Sequence, residues 1–253
     1  MPAVRHRTLV IAAFAAAATL ATTTPALAQH TAPAVLHAPM LRPQGAPHGR
    51  VNGDSANWAG YAATGAKFTS VSASWIQPEA HCTDQDTYSA FWVGLDGDGS
   101  ESVEQTGSSA DCSGGLPQYY AWYEMYPAYP VGYTDTVEAG DHFTAGVTAT
   151  TGGGFTLTIS DETQGWSHTE HKTLRGAALA SAEVIAEAPS TAFGPLPLTD
   201  FGTAAFTDAT ANGRPIGDFA PENITMAEHD GTVLATTSPL TGGSAFGVAW
   251  QHS

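Results

Sequence analysis

The sequence predicts an all-β fold, a two-sheet antiparallel β-sandwich of the concanavalin or lectin-like kind. From residue 57 onward, short runs rich in Val, Thr, Tyr, Phe and Trp alternate between apolar and polar positions, and turn residues separate them. A period of two is the pattern of strands with one buried face, whereas helices repeat every 3.6 residues. Many short strands of this kind are typical of a sandwich.

The predicted strands follow one another closely along the chain. The pattern places them at residues 58–63, 70–76, 88–95, 103–106, 118–125, 142–150, 155–161, 167–174, 182–187, 201–207, 224–228, 233–237 and 246–250. Glycine-containing turns at 151–154 and 162–165 supply the positive φ angles that hairpins need, and they separate three consecutive runs. Residues 140–174 are therefore predicted to form a three-strand meander.

The first 51 residues differ from the rest of the chain. Residues 1–28 contain two early arginines, an apolar run and an Ala-Leu-Ala ending, which is the layout of a secretory signal peptide. Residues 29–51 are rich in proline and lack hydrophobic periodicity, so we expect a disordered linker or a short propeptide. Residues 52–253 have the length of one domain. The sequence thus predicts a secreted, extracellular protein with one folded domain.

The charge distribution excludes two classes of partner. Residues 52–253 contain four basic residues against all 24 acidic residues of the chain, a formal charge of −20. Binding to nucleic acid or to an anionic membrane depends on lysine and arginine, so neither is expected. No apolar run outside the signal peptide approaches the length that spans a bilayer. The same acidic balance fits a protein that works in mildly acid solution.

The two cysteines, Cys82 and Cys112, are expected to form a disulfide, because an exported chain with an even count most simply pairs them. No histidines stand near them at the spacing of zinc ligands. The loop that begins at Asp96 resembles a calcium loop only in part, since Glu101 stands where glycine is needed. We therefore predict no metal and no other cofactor.

The alternation also places polar side chains together on one face. Trp92 and Asp96 share a face of one predicted strand, and Trp122 and Glu124 share a face of another. A face that carries indoles and carboxylates together suits the wall of a groove better than a sandwich core. Extended peptides and polysaccharides both bind in such grooves.

Several segments, in order along the chain, resemble the motifs of the glutamic peptidases of the eqolisin type, peptidase family G1, formerly A4. The matching segments are Asn-Trp-Ala-Gly at 57–60, Phe-Trp-Val-Gly-Leu-Asp-Gly-Asp at 91–98, Glu-Gln-Thr-Gly at 104–107, Ala-Trp-Tyr-Glu-Met-Tyr-Pro at 121–127, Gly-Asp at 140–141 leading into Val-Thr-Ala-Thr at 147–150, and Ala-Glu-Val-Ile-Ala-Glu at 182–187. The resemblance covers the whole region after residue 57. It implies a β-sandwich with a catalytic glutamine and a catalytic glutamate on its concave face.

Carried over residue by residue, the resemblance assigns these catalytic roles to Gln105 and Glu187. It also implies four residues that line the substrate cleft, namely Trp58, Trp92, Asp96 and Glu124. The chain departs from the family pattern at Tyr120, where the motif has an aspartate, and in a longer segment at 108–111.

The resemblance predicts an endopeptidase that hydrolyses polypeptides in acid, and we expect it to act as a monomer. Glu187 would act as general base on a water and then as acid toward the leaving amine, while Gln105 would stabilise the oxyanion. Two alternatives remain open on the residues alone: a non-catalytic carbohydrate-binding lectin, and a structural protein with a peptidase fold. A lectin has no need for Gln105 and Glu187 together.

Overall fold

The computed structural model describes Met1, residues 35–41 and residues 52–253. The predicted signal peptide after Met1 and most of the linker lie outside the described residues. Every contact below lies within the unit Pro33–Ser253. In the described part of the chain, no helix has the length and apolar character required to cross a bilayer.

Nearly all of the regular structure is β-strand. The strands are β1 Asn52–Ser55, β2 Trp58–Ala63, β3 Ser70–Ile76, β4 Ala90–Leu95, β5 Val103–Ser113, β6 Leu116–Tyr126, β7 Val131–Gly132, β8 His142–Thr150, β9 Gly154–Asp161, β10 Trp166–Thr173, β11 Ala182–Glu187, β12 Ser190–Thr191, β13 Gly194–Pro195, β14 Thr203–Ala211, β15 Arg214–Pro215, β16 Glu222–Ala227, β17 Val233–Thr237 and β18 Phe246–Trp250. A short 3-10 helix covers Ile216–Phe219.

Fourteen strands form one hydrogen-bonded path in the order β10-β9-β8-β3-β14-β18-β17-β16-β2-β11-β4-β5-β6-β7. Neighbours along this path are antiparallel, and the parallel pair β1–β16 lies beside it. β4 and β5 contact β8, and β11 contacts β3, although these strands are not neighbours in the path. The sheet therefore folds over, so that its two halves face each other as the predicted sandwich.

The space between the two halves is filled by the large apolar core. Phe91, Val93 and Leu95 point into it from β4, and Val184 and Ala186 do so from β11. The alternate residues of the same strands belong to a second, smaller cluster on the outer face, which includes Trp58, Trp92, Trp122 and Ile185. The alternation predicted from the sequence is thus confirmed, and it leaves the concave outer face for the site.

The predicted strand at 103–106 was seven residues too short at its end. The sequence predicts that the strand beginning at residue 103 ends at 106, because Gly107, Ser108 and Ser109 have the composition of a turn. In the structure β5 continues to Ser113 and pairs with β6 along its whole length. Its two serines are buried and accept hydrogen bonds from indoles: Ser108 Oγ from Trp75 Nε1 at 2.9 Å and Ser109 Oγ from Trp122 Nε1 at 3.0 Å. These bonds satisfy the polar groups that argued for a turn.

The disulfide and the meander are as predicted. Cys82 and Cys112 are bonded across 30 residues of sequence, with their Cα atoms 5.4 Å apart. The bond ties the loop before β4 to the far end of β5. β8, β9 and β10 pair consecutively and antiparallel. On the chain-entropy account a loop of this length stabilises the fold by about 3 to 4 kcal/mol.

Candidate active site

The site lies on the outer face of the central strands, where β11, β4 and β5 lie side by side. Glu187 ends β11 and pairs with Ala90 of β4, while Gln105 lies in β5 and pairs with Gly94 of β4. Two strand spacings separate β11 from β5, which is about 10 Å. The two positions are also offset by four residues along β4, so only long side chains on the same face can approach each other above this strand.

Glycines in this region make room for the Trp92 indole. A Cβ atom at Gly94 would lie 2.8 Å from Cζ3 of Trp92, and one at Gly107 would lie 2.3 Å from the carbonyl oxygen of Phe91. Without these side chains the indole reaches across the sheet, and its Nε1 donates a hydrogen bond to Glu187 Oε2 at 2.9 Å. Trp58 packs edge-on against Trp92, with ring centroids 5.0 Å apart.

Residues 35–41 cross this face and cover it. The ring of His37 stacks on Trp122 with centroids 3.7 Å apart and planes within 2° of parallel. Its Nδ1 lies 3.1 Å from Glu187 Oε2. The side chains of His37, Trp92, Trp122 and Glu187 are all buried. The predicted groove is therefore filled by the chain's own N-terminal segment.

Gln105 and Glu124 hold the backbone of this segment. Gln105 Nε2 donates to the carbonyl oxygen of His37 at 2.6 Å and to Glu124 Oε2 at 3.0 Å. The same carboxyl oxygen of Glu124 accepts the backbone N–H of His37 at 3.0 Å. The structure thus brings Gln105, Glu124 and Glu187 together around a single residue of the segment.

Burial controls the protonation of the site. It raises the pKa of Glu187 well above its usual range, and the nearby charge of Glu124 acts in the same direction, whereas the hydrogen bond from Trp92 opposes it. Burial also raises the pKa of Glu124 to about 8 and lowers the pKa of His37 to about 3. In mildly acid solution the contact between Glu187 and His37 is therefore a hydrogen bond between two neutral groups.

Two buried oxygens complete the geometry. Gln105 Oε1 and Glu187 Oε1 are both inaccessible to solvent and have no hydrogen-bond partner among the described residues. A buried acceptor without a partner costs free energy, and a water molecule that donates to it removes that cost.

The predicted cleft residues have different surroundings. Trp58 lies under the segment, and its Nε1 donates to the carbonyl oxygen of Ala38 at 3.1 Å. Asp96 instead accepts hydrogen bonds from the backbone N–H groups of Leu179 and Ala180, both at 2.8 Å. Its carboxylate anchors the loop that leads into β11. The structure therefore groups Trp58, Trp92 and Glu124 with the segment, but not Asp96.

Sequence reasoning missed three residues that build the site. His37 falls in the predicted linker, Trp122 has no assigned role in binding, and Asn57 is only part of a motif. Asn57 Nδ2 donates to the carbonyl oxygens of residues 38 and 39, at 3.3 and 3.2 Å. The sequence did offer one signal for a role of His37, namely the apolar residues on both sides of it. A proline-rich stretch without a binding role has little need of such apolar residues.

The two departures from the family motif are connected. Tyr120 Oη donates a hydrogen bond to Asp111 Oδ2 at 2.8 Å, and the backbone N–H of Ser89 donates to the other oxygen at 3.1 Å. Burial nevertheless raises the pKa of Asp111 to about 7. Tyr120, which replaces the motif's aspartate, and Asp111, which lies in the longer segment, are thus hydrogen-bonded to each other.

Comparison with known proteins identifies the family. Residues 56–250 match the model of the peptidase A4 family. The chain belongs to the peptidase A4 family. Aspergillopepsin-2 of Aspergillus niger is 30% identical to it over 212 residues, which cover 73% of this chain and 74% of that protein. The resemblance drawn from the motifs is therefore confirmed.

Solved structures agree with this membership of the peptidase A4 family. Aspergilloglutamic peptidase from Aspergillus niger is 31% identical, with a TM-score of 0.57 over 65% of this chain and 99% of that chain. Scytalido-glutamic peptidase, solved with a transition state analog inhibitor, is 24% identical, with a TM-score of 0.67 over 78% of this chain and 98% of that chain. This member of the peptidase A4 family is accordingly a glutamic peptidase, which hydrolyses peptide bonds.

Proposed function

We propose that this peptidase is a secreted enzyme that cuts polypeptides in acid solution and that Gln105 and Glu187 are its catalytic dyad. One observation carries the proposal. Side chains 82 residues apart in the sequence converge on His37, with Gln105 Nε2 on its carbonyl oxygen at 2.6 Å and Glu187 Oε2 beside its ring at 3.1 Å. An amide N–H on a peptide carbonyl is the arrangement that stabilises an oxyanion.

The chemistry of the pair follows from its protonation. Gln105 has no titratable group, so its N–H remains a donor at any pH. Glu187 must be a carboxylate to take a proton from water. When a substrate replaces residues 35–41 and water reaches Glu187, burial raises the pKa of its carboxyl group less than in the covered site. The enzyme is then active where acid keeps its substrates unfolded and Glu187 is still ionised.

The buried carboxyl groups support an acid habitat. Burial raises the pKa of Glu104 to about 8 and that of Asp111 to about 7. A carboxyl with a raised pKa contributes its full stability below the pKa of the unfolded chain, and it loses that contribution as pH rises through the folded value. Between about pH 4 and pH 8 the free energy of unfolding should therefore fall as pH rises.

The test is digestion of denatured casein at about pH 3 to 5, with fragments identified by mass spectrometry. The Glu187→Gln and Gln105→Ala variants should fold but lose activity, and inhibitors of aspartic peptidases should leave the wild type active. A Glu187→Gln variant with full activity would refute the assignment of the base. Abolition of activity by those inhibitors would refute the dyad.

Three further parts of the proposal rest on the sequence. The signal peptide at 1–28, the linker or propeptide at 29–51 and the single domain at 52–253 describe an exported enzyme, and the Cys82–Cys112 disulfide suits an oxidising compartment. We expect a monomer. Family membership favours a peptidase over the carbohydrate-binding alternative, because a lectin does not use a buried glutamine and glutamate at one carbonyl group.

A further inference from the structure

A two-stranded hairpin follows the strand that carries Glu187. β12 and β13 pair with each other and form a small sheet apart from the large one. β12 begins at Ser190, three residues after Glu187. The base of the hairpin is closed by the Leu196 N–H, which donates to the carbonyl oxygen of Pro189 at 2.8 Å. The hairpin is therefore anchored beside the cleft.

The free edge of β12 binds an extended peptide backbone. The Leu36 N–H donates to the carbonyl oxygen of Ser190, and the Ser190 N–H donates to the carbonyl oxygen of Leu36, both at 2.9 Å. Two residues that exchange both bonds form an antiparallel pair, so the segment adds a third strand to the hairpin. Main-chain bonds accept side chains of varied kind. A substrate that lies in the cleft in the same way can form the same two bonds.

This pair fixes the register of a longer substrate on the hairpin. Under the proposed function, the carbonyl group that Gln105 binds belongs to the residue before the cut, which is the position of His37. Leu36 then marks the second position before the cut, opposite Ser190. Antiparallel partners run in opposite directions, so a substrate that continues along β12 places its fourth residue before the cut opposite Ala192 and its fifth opposite Phe193.

Phe193 is an exposed aromatic residue at the tip of the hairpin. Thr191 pairs with Gly194, so Ala192 and Phe193 form the turn, and the Phe193 N–H donates to Thr191 Oγ1 at 3.2 Å. Phe193 is 100% exposed, whereas no other Phe, Trp or Tyr that the structure describes exceeds the 61% of Tyr129. Isolated exposed apolar residues are common on protein surfaces, and it is the register that gives this one a ligand.

We propose that Phe193 is a specificity-determining residue, which selects substrates with an apolar side chain at the fifth position before the cut. This inference rests on the proposed function of Gln105 and Glu187. Opposite residues of an antiparallel pair have Cβ atoms about 5 Å apart, so a phenyl ring and an apolar side chain at these positions are in contact. The contact removes apolar surface of both partners from water, which stabilises the bound substrate.

The composition of the hairpin favours an apolar partner over a charged one. No residue between Glu187 and Asp200 is charged, although the chain has 24 acidic residues. The hairpin itself therefore offers no carboxylate to a basic side chain of the substrate. An apolar side chain opposite Phe193 meets a phenyl ring in a stretch without charge.

The experiment measures cleavage of paired synthetic peptides by the full chain, under the conditions in which it digests casein. The two peptides of a pair share the sequence around the cut and carry leucine or serine at the fifth position before it, and mass spectrometry of the products identifies the bond that is cut. The wild type should prefer the leucine peptide by about tenfold in kcat/KM. The difference should lie in KM, because the contact is made equally before and during the reaction.

The register has its own control. Leucine moved to the sixth position before the cut points to the opposite face of the extended substrate, so the preference should disappear. A preference that follows the sixth position would overturn the inference.

Matched variants test the side chain. Phe193→Ser should lower kcat/KM for the leucine peptide to the value for the serine peptide, and Phe193→Leu should keep most of the preference. Leu116→Ser is the control, since Leu116 is 64% exposed and begins β6, about 25 Å along the strands from Gln105. It should keep the full preference. A Phe193→Ser enzyme that still prefers leucine would overturn the role of Phe193.

The outcomes separate this inference from the proposed function. Equal cleavage of the two peptides by the wild type overturns the inference alone. Failure of the wild type to cut either peptide or casein overturns the proposed function as well.

Discussion

His37 should contribute less to the hold of residues 35–41 on the cleft as the solution becomes acid. Burial lowers the pKa of His37 from 6.5 to about 3. A base with a lowered pKa contributes its full stabilising effect above its free value, and it loses that contribution as pH falls from 6.5 toward 3. The covered state should therefore lose about tenfold in population per pH unit in this window, relative to a chain without the imidazole.

The matched perturbation is His37→Gln, which keeps a hydrogen-bonding side chain and removes the titration. At pH 4 the imidazole is 2.5 units below its free pKa of 6.5, which corresponds to about 3 kcal/mol, or about 300-fold. The titratable groups that face His37 are Glu124 of β6 and Glu187 of β11. Glu124 and Glu187 are present in the wild type and in the His37→Gln variant. Their own pH dependence therefore cancels when the two proteins are compared as a ratio.

The assay is amide hydrogen exchange of Leu36 and residue 37, whose N–H groups bond to Ser190 and Glu124. Protection factors report the opening equilibrium of the segment. A Gln105→Ala background keeps the chain uncut in both proteins. The ratio of protection, variant over wild type, should be near one at neutral pH and reach about 300 at pH 4. A ratio that stays constant would refute a neutral, buried His37.

Two predictions concern the fold. Gly107→Ala would place a methyl group 2.3 Å from a backbone oxygen of β4, so it should lower the free energy of unfolding by about 3 kcal/mol or more. In Gly132→Ala the nearest contact of the new methyl group is at 3.9 Å, so this control should change the free energy of unfolding little. Urea unfolding compares the two variants. Replacing Cys82 and Cys112 by alanine should cost about 3 to 4 kcal/mol in the same assay, and a loss below 1 kcal/mol would contradict the constraint assigned to this loop.

The sequence predicts the sandwich well because alternation is a local signal. Six strands, β2, β3, β8, β11, β17 and β18, have the predicted bounds. The prediction fails where polar residues find partners that are distant in sequence. Ser108 and Ser109 are strand residues only because Trp75 and Trp122 donate hydrogen bonds to them. No local pattern contains that information.

The same limit applies to the site. The motifs bring out Gln105, Glu124 and Glu187, and strand parity places Glu124 on one face with Trp122, because these residues lie in regular strands. The residue that they surround lies in a stretch with no periodicity. His37 is buried by surfaces of β6 and β11 that exist only after the sandwich has formed. A segment too polar to fold by itself can therefore still be ordered by a preformed groove.

An amide in the dyad has a particular consequence for a site that is covered by its own chain. The contact of Glu187 with His37 depends on where protons lie, because both groups titrate. The contact of Gln105 with the carbonyl oxygen of His37 does not titrate, since an amide N–H remains a donor throughout. The hydrogen bond that holds the carbonyl group is therefore independent of pH, whereas the contact with the side chain is not. A carboxyl group in place of Gln105 would donate to that carbonyl oxygen only while protonated, so this contact would depend on pH as well.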